Sequence, residues 1–146
     1  MILVSACLAG INCKYNGGNN YNEKIFNLVK SGKAIPMCPE QLGGLTTPRD
    51  PSEIKIINKE KRVITNKNKD VTDNFKKGAN EVLSMIKKLD IDMVILQPRS
   101  PSCGVNKIYD GNFNGTLTNG NGVLTDLLIE NNIKVISLDE FLNNYK

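Results

Sequence analysis

The chain contains no histidine and no tryptophan. The missing imidazole matters more: without it there is no Ser-His-Asp triad, no Cys-His nucleophile pair and no Cys2His2 zinc site. Chemistry must therefore come from Cys, Ser, Asp, Glu, Lys, Arg, Tyr or a bound cofactor. Aromatic residues are scarce at 5%, which limits any surface that would bind nucleic acid by stacking bases. No apolar run approaches the roughly 18 residues of a spanning helix. The apolar stretch after Met1 is too short for a signal peptide and no Lys or Arg precedes it, so a cytoplasmic location is expected. Neither G-x-x-x-x-G-K-[ST] nor G-x-G-x-x-G follows a strand-like segment; Gly17-Gly18 and Gly43-Gly44 resemble phosphate loops only superficially, which argues against nucleotide hydrolysis.

What is present fits one globular α/β domain over 1–146. The 146 residues suffice for a core without disulfides, and 40% of them are hydrophobic. The formal charge is +4, with Lys55, Lys59, Lys61, Arg62, Lys67 and Lys69 crowded into one segment. No aromatic falls among them, so a solvated hairpin face is the expectation and RNA binding the alternative.

Residues 2–7 are apolar and rich in branched side chains until Gly10 interrupts, the pattern of a strand buried on both faces. Asn22 can cap a helix carrying Ile25, Phe26, Leu28 and Val29. Residues 33–37 read as a second strand, with Pro36 suggesting an edge, and prolines and glycines keep 38–53 in loop. Residues 53–57 and 62–65 suggest a hairpin turning at 58–61, appended to the main sheet. Phe75, Ala79, Val82, Leu83, Ile86 and Leu89 mark the longest helix, capped by Thr72 or Asp73. A third buried strand spans 91–96, and a Gly-rich stretch separates it from a helix over about 122–130 that Asn131-Asn132 stops. A strand over 133–136 and a capping box from Ser137 to Glu140 close the chain. Strands alternating with helices predict a mainly parallel, doubly wound sheet.

In such a sheet the loops after the strands open on one edge. Cys7, Cys38 and Cys103 each follow a buried strand, so three thiols converge there. A reducing compartment disfavours disulfides. Structural zinc usually shows paired C-x2-C knuckles, whereas the only close pair here is Cys7 and Cys13. An iron–sulfur cluster takes thiolates from distant loops, and spacing alone leaves both metals open. Glu40, two residues past Cys38, is a candidate general acid or base. Ser100 and Ser102 can orient a substrate or donate to a developing anion. Arg49 either holds an anionic group or braces its loop against Asp50.

Several motifs occur in order: Val4-Ser5-Ala6-Cys7-Leu8-Ala9-Gly10, Cys13-Lys14-Tyr15-Asn16-Gly17, Cys38-Pro39-Glu40-Gln41-Leu42-Gly43-Gly44, Pro48-Arg49, Asp70-Val71-Thr72 with Phe75 and Gly78-Ala79, Ser100-Pro101-Ser102-Cys103-Gly104, and Tyr109-Asp110-Gly111. Together they resemble the thiouracil desulfidase family over nearly the whole chain. That resemblance implies a [4Fe-4S] cluster held by Cys7, Cys38 and Cys103, with a fourth iron open to a thiocarbonyl sulfur and Cys13 of unassigned role. It further implies hydrolytic C–S cleavage of a thiolated base such as thiouracil, giving uracil and sulfide. Glu40 would move protons, Ser100 and Ser102 would position the substrate, and Arg49, Tyr15 and Tyr109 would contact it. Lys14, Asn16 and Gln97 depart from the residues usual in the family and bear on which ring is held. Two alternatives are a zinc-holding module whose basic hairpin binds RNA and a cluster-based sulfur carrier.

Overall fold

The computed structural model describes residues 1–144. In chain order it comprises β1 (Ile2–Ser5), a 3-10 turn (Ala6–Ala9), α1 (Glu23–Lys30), β2 (Ala34–Met37), the single helical turn α2 (Pro39–Leu42), β3 (Ser52–Ile57), β4 (Glu60–Thr65), α3 (Thr72–Lys88), β5 (Met93–Leu96), β6 (Lys107–Tyr109), β7 (Leu117–Asn119), α4 (Val123–Glu130), β8 (Val135–Ser137) and α5 (Leu138–Asn144).

Strands β2, β1, β5 and β8 form one parallel sheet in that order. From β1 the chain steps to β2 on one side and then crosses to β5 on the other, so the strand order reverses beside β1. At such a reversal the crossovers leave in opposite directions, and a crevice opens outside the carboxyl ends of the strands. Strand β2 lies at an edge, where the missing N–H of Pro36 is tolerated.

Alternation along the strands distributes side chains to both faces. On one side Leu3, Val94 and Leu96 pack with Ala79, Val82 and Ile86 of α3 and Leu124 and Leu128 of α4. On the other, Val4, Ile95 and Ile136 meet Ile25 of α1 and Phe141 of α5. Helices thus cover both faces, as a parallel sheet requires. A third cluster of Ile54, Val63, Val71, Phe75 and Ile108 ties both hairpins to the start of α3. Asn22 caps α1 as expected, its side chain accepting from the amides of Lys24 and Ile25. At the other end of the chain the Ser137 hydroxyl accepts the Glu140 amide.

Several expectations need correction. The first strand ends at Ser5, and Cys7 lies in the 3-10 turn that follows. Residues 38–53 are not all loop: Pro39 at the first helical position starts α2, where its fixed φ is already helical. The β3–β4 turn contains only Asn58 and Lys59, both at positive φ, the twist that a two-residue hairpin needs. That hairpin forms its own two-stranded sheet rather than joining the main one. Helix α3 has Val71 at its cap; Asp70 accepts the Thr72 amide, while the Thr72 hydroxyl accepts from the Val63 amide. The Gly-rich stretch contains the antiparallel pair β6–β7, and the last strand spans Val135–Ser137.

The basic segment is partly neutralised. Lys61 pairs with Asp126 at 2.8 Å, Arg62 with Asp70 at 2.9 Å and Lys67 with Asp50 at 3.3 Å. Among the described residues no helix is long and apolar enough to cross a membrane.

Candidate active site

A cavity of about 530 Å³ opens at the carboxyl edge of the sheet. Cys7 reaches it from the turn after β1, Cys38 from the cap of α2 directly after β2, and Cys103 from the loop after β5. Cys7 and Cys103 therefore flank the place where strand order reverses. Cys13 lines the same cavity, so the structure adds the fourth thiol to the three that strand order had brought together. All four cysteines are free.

Their proton affinities differ because of their partners. The neighbouring sulfurs of Cys38 and Cys7, with burial, push the Cys13 thiol far up, and Cys38 Sγ lies 3.9 Å from the Cys13 carbonyl oxygen. The Cys13 thiol in turn lowers Cys38 to about 6, helped by the Gln41 amide and Arg49 against burial and the charge of Glu40. Cys7 is lowered by Cys13, against burial, with further help from Asn20, whose Nδ2 lies 3.6 Å from its sulfur. Burial dominates at Cys103 and raises it to about 12, against the lowering effect of the nearby Ser5 and Ser102 hydroxyls. One proton on Cys13 thus favours thiolates at Cys7 and Cys38, and thiolate is the form that binds metal.

The Cys103 loop is fastened by the start of α4. Amides of Gly122, Val123 and Leu124 donate to the carbonyls of Gly104, Pro101 and Ser102, so helix amides that lack intrahelical partners anchor the loop. A Cβ at Gly122 would lie 2.4 Å from the Ser102 carbonyl, so this approach requires glycine.

Glu40 joins three segments at the cavity wall. Its Oε1 accepts from Arg49 Nε at 3.1 Å and its Oε2 from the Ser102 hydroxyl at 2.7 Å. Ser100 Oγ accepts the Cys103 amide at 2.7 Å and lies 3.4 Å from Ser102 Oγ. Carboxylate, two hydroxyls and thiol thus form a connected chain. Arg49 does not pair with Asp50. Its Nη1 donates to the Thr46 carbonyl and Thr47 hydroxyl, its Nη2 to the Cys13 carbonyl, and its side chain is only 8% exposed. The guanidinium, expected to contact substrate, lines the cavity and donates to four protein acceptors there. Tyr15 and Tyr109 both line the cavity, Tyr15 largely exposed.

Sequence reasoning missed Asn20, Ser5, Glu53 and Phe113, all of which line the cavity. Asn20 lies in an Asn-rich stretch with nothing to single it out. Ser5 was legible only as part of a strand, yet its Oγ accepts the Gln97 amide at 2.9 Å and joins the ends of β1 and β5.

Among the described residues, no group of three or more Cys, Asp or Glu side chains could hold a single metal ion. The thiols instead surround a cavity with room for a group several atoms across. Fold and site together define a class: a parallel α/β protein whose crossover loops present cysteines and a carboxylate to one cavity at the switch point. Comparison with known proteins makes the class specific. The chain belongs to the 2-thiouracil desulfurase family, whose model matches residues 2–140. It is 43% identical over 146 residues to the uncharacterised protein YbbK of Bacillus subtilis (strain 168), covering 96% of this chain and 97% of the relative. A solved structure, the [4Fe-4S]-dependent thiouracil desulfidase TudS, superposes with a TM-score of 0.88 at 37% identity, covering 97% of this chain and 93% of that one.

Proposed function

We propose that this protein is a [4Fe-4S]-dependent desulfidase that removes sulfur from a thiolated pyrimidine such as thiouracil, releasing uracil and sulfide. The observation that carries the reading is the meeting of Cys7, Cys38 and Cys103 at one cavity with the Glu40–Ser102 pair in its wall. The donor set fits the cofactor: soft sulfur ligands suit iron–sulfur clusters, none is tied up in a disulfide, and two are biased toward thiolate. Cys7, Cys38 and Cys103 are the proposed ligands. When bound, the cluster supplies a soft Lewis acid matched to a thiocarbonyl sulfur.

The rest of the chemistry falls to side chains. In the net reaction, water oxygen bonds to the ring carbon, the carbon–sulfur bond breaks, and the protons of water leave with the sulfide. Glu40 is the group placed to take a proton from that water and return it to the departing sulfur. Arg49 fixes its orientation from one side and Ser102 connects it to the cavity on the other. Ser100, whose oxygen is committed to the Cys103 amide, keeps its own proton to donate to Ser102 or to a substrate oxygen. Pairing of Lys61, Arg62 and Lys67 with carboxylates supports this reading over an RNA-binding zinc module.

The test is product stoichiometry. Anaerobically reconstituted protein incubated with 2-thiouracil or 4-thiouracil should release uracil and sulfide in equal amounts over many turnovers. Sulfur uptake that stops after one equivalent without free sulfide would instead identify a carrier, and absence of uracil would overturn the reading.

A further inference from the structure

The Tyr109-Asp110-Gly111 motif has no part in the chemistry above, yet the loop it opens forms part of the cavity wall. Tyr109, Phe113 and Gly115 all line the cavity, as does Glu53 of β3. Two features of this loop are unusual. Phe113 has φ +55°, the left-handed region that a bulky residue rarely adopts. And one carboxylate oxygen, Glu53 Oε1, accepts two backbone amides of the loop, Gly111 at 2.9 Å and Phe113 at 3.2 Å. Charge-assisted bonds of this kind are the stronger class, and here they hold the residue in its disfavoured conformation.

The loop also packs closely on β3. A Cβ at Gly111, itself at φ +95°, would lie 2.8 Å from the Ile54 carbonyl, and Asp110 closes the turn by accepting the Asn112 amide and side chain. Lys55 places its ammonium over the Phe113 ring, 5.8 Å from the centroid, while Lys55 itself is not part of the cavity wall. The ring is thereby steadied by a residue that is not itself part of the cavity wall. Unlike Tyr15, which is 44% exposed, it is half-buried. An unusual backbone conformation that several partners enforce marks a site where geometry is used. An apolar aromatic face beside a cavity is matched to a flat heteroaromatic ring.

We propose that Phe113 is the wall against which the substrate's base stacks, and that Glu53 is the positioning residue that holds Phe113 there. This rests on the desulfidase reading and assigns the substrate's ring its place in the cavity.

Four variants test it: Phe113→Leu, Phe113→Tyr, Glu53→Ala and the double Glu53→Ala/Phe113→Leu. Iron and sulfide content confirms in each that the cofactor is retained. Stacking of a base on an aromatic side chain corresponds to about tenfold or more in affinity. F113L should therefore raise KM for 2-thiouracil and the dissociation constant for uracil by about tenfold, with kcat changed far less. F113Y should restore both, E53A should match F113L, and the double variant should be no worse than either single one. Unchanged KM and uracil affinity in F113L, beside an active wild type, would overturn the stacking role alone. Multiplying effects in the double variant would overturn the positioning role of Glu53. A wild type that releases no uracil would overturn the desulfidase reading, and the stacking role with it.

Discussion

Glu40 lies between a guanidinium and a hydroxyl, and both contacts predict what its removal does. Glu40→Gln keeps the shape of the side chain and its place in the hydrogen-bond chain but removes the base. The variant should retain iron and sulfide and lose about 100-fold or more in uracil release, measured on anaerobic protein; wild-type turnover in E40Q would refute the assigned role. Arg49→Ala leaves a carboxylate that is only 15% exposed without its counter-charge. Removing one partner of a buried pair is strongly destabilising, so urea unfolding should show a loss of about 3 kcal/mol. The thiols differ in proton affinity. In metal-free, reduced protein, iodoacetamide should label Cys38 with a midpoint near pH 6, because its lowered pKa leaves the reactive thiolate populated above that value. Cys103, raised to about 12, should resist labelling across the neutral range, and peptide mass mapping distinguishes the two. At this scale the residue types were readable: Cys7, Cys38, Cys103, Glu40 and the two serines stood out by position after strands. The contacts of Cys13 and Arg49 were not, because both depend on how loops far apart in sequence lie against each other.

Among the elements, α2 and α3 cross where both backbones are bare. A Cβ at Gly78 would lie 1.8 Å from the Pro39 carbonyl oxygen, and one at Gly43 would lie 2.0 Å from that of Asn74. Since α2 begins at the Cys38 cap and carries Glu40, this crossing sets the position of two site residues at once. Gly78→Ala should force the helices apart, lowering stability by about 2 kcal/mol and weakening iron retention; thermal melts and iron-to-protein ratios check both. A wild-type melt with full iron content would show that the crossing tolerates the methyl. Helix α3 was readable because five of its buried residues recur at spacings of three and four. The turn α2 was hidden in a Pro- and Gly-rich segment too short for any period to show. Strands β6 and β7 were hidden for another reason: β7 is exposed throughout, so no apolar alternation marks it.

At the scale of the whole molecule, topology does much of the work of assembling the site. Parallel strands send their loops to one edge, and the reversal beside β1 sets the loops after β1 and β5 on either side of the crevice. The alternation of buried strands with helices made the common edge legible, whereas the strand order and the separate sheets of the two hairpins, which complete the cavity wall, depend on long-range pairing. The central claim is that this cavity holds an iron–sulfur cluster on which desulfuration depends. The most direct measurement follows iron, acid-labile sulfide and uracil formed from 2-thiouracil in anaerobically purified protein, before and after chelation of iron and again after reconstitution. The account predicts iron and sulfide in equal amounts, loss of uracil formation as iron is removed, and recovery when the cluster is rebuilt. A colourless, zinc-containing protein, or uracil formation that survives complete removal of iron, would contradict it.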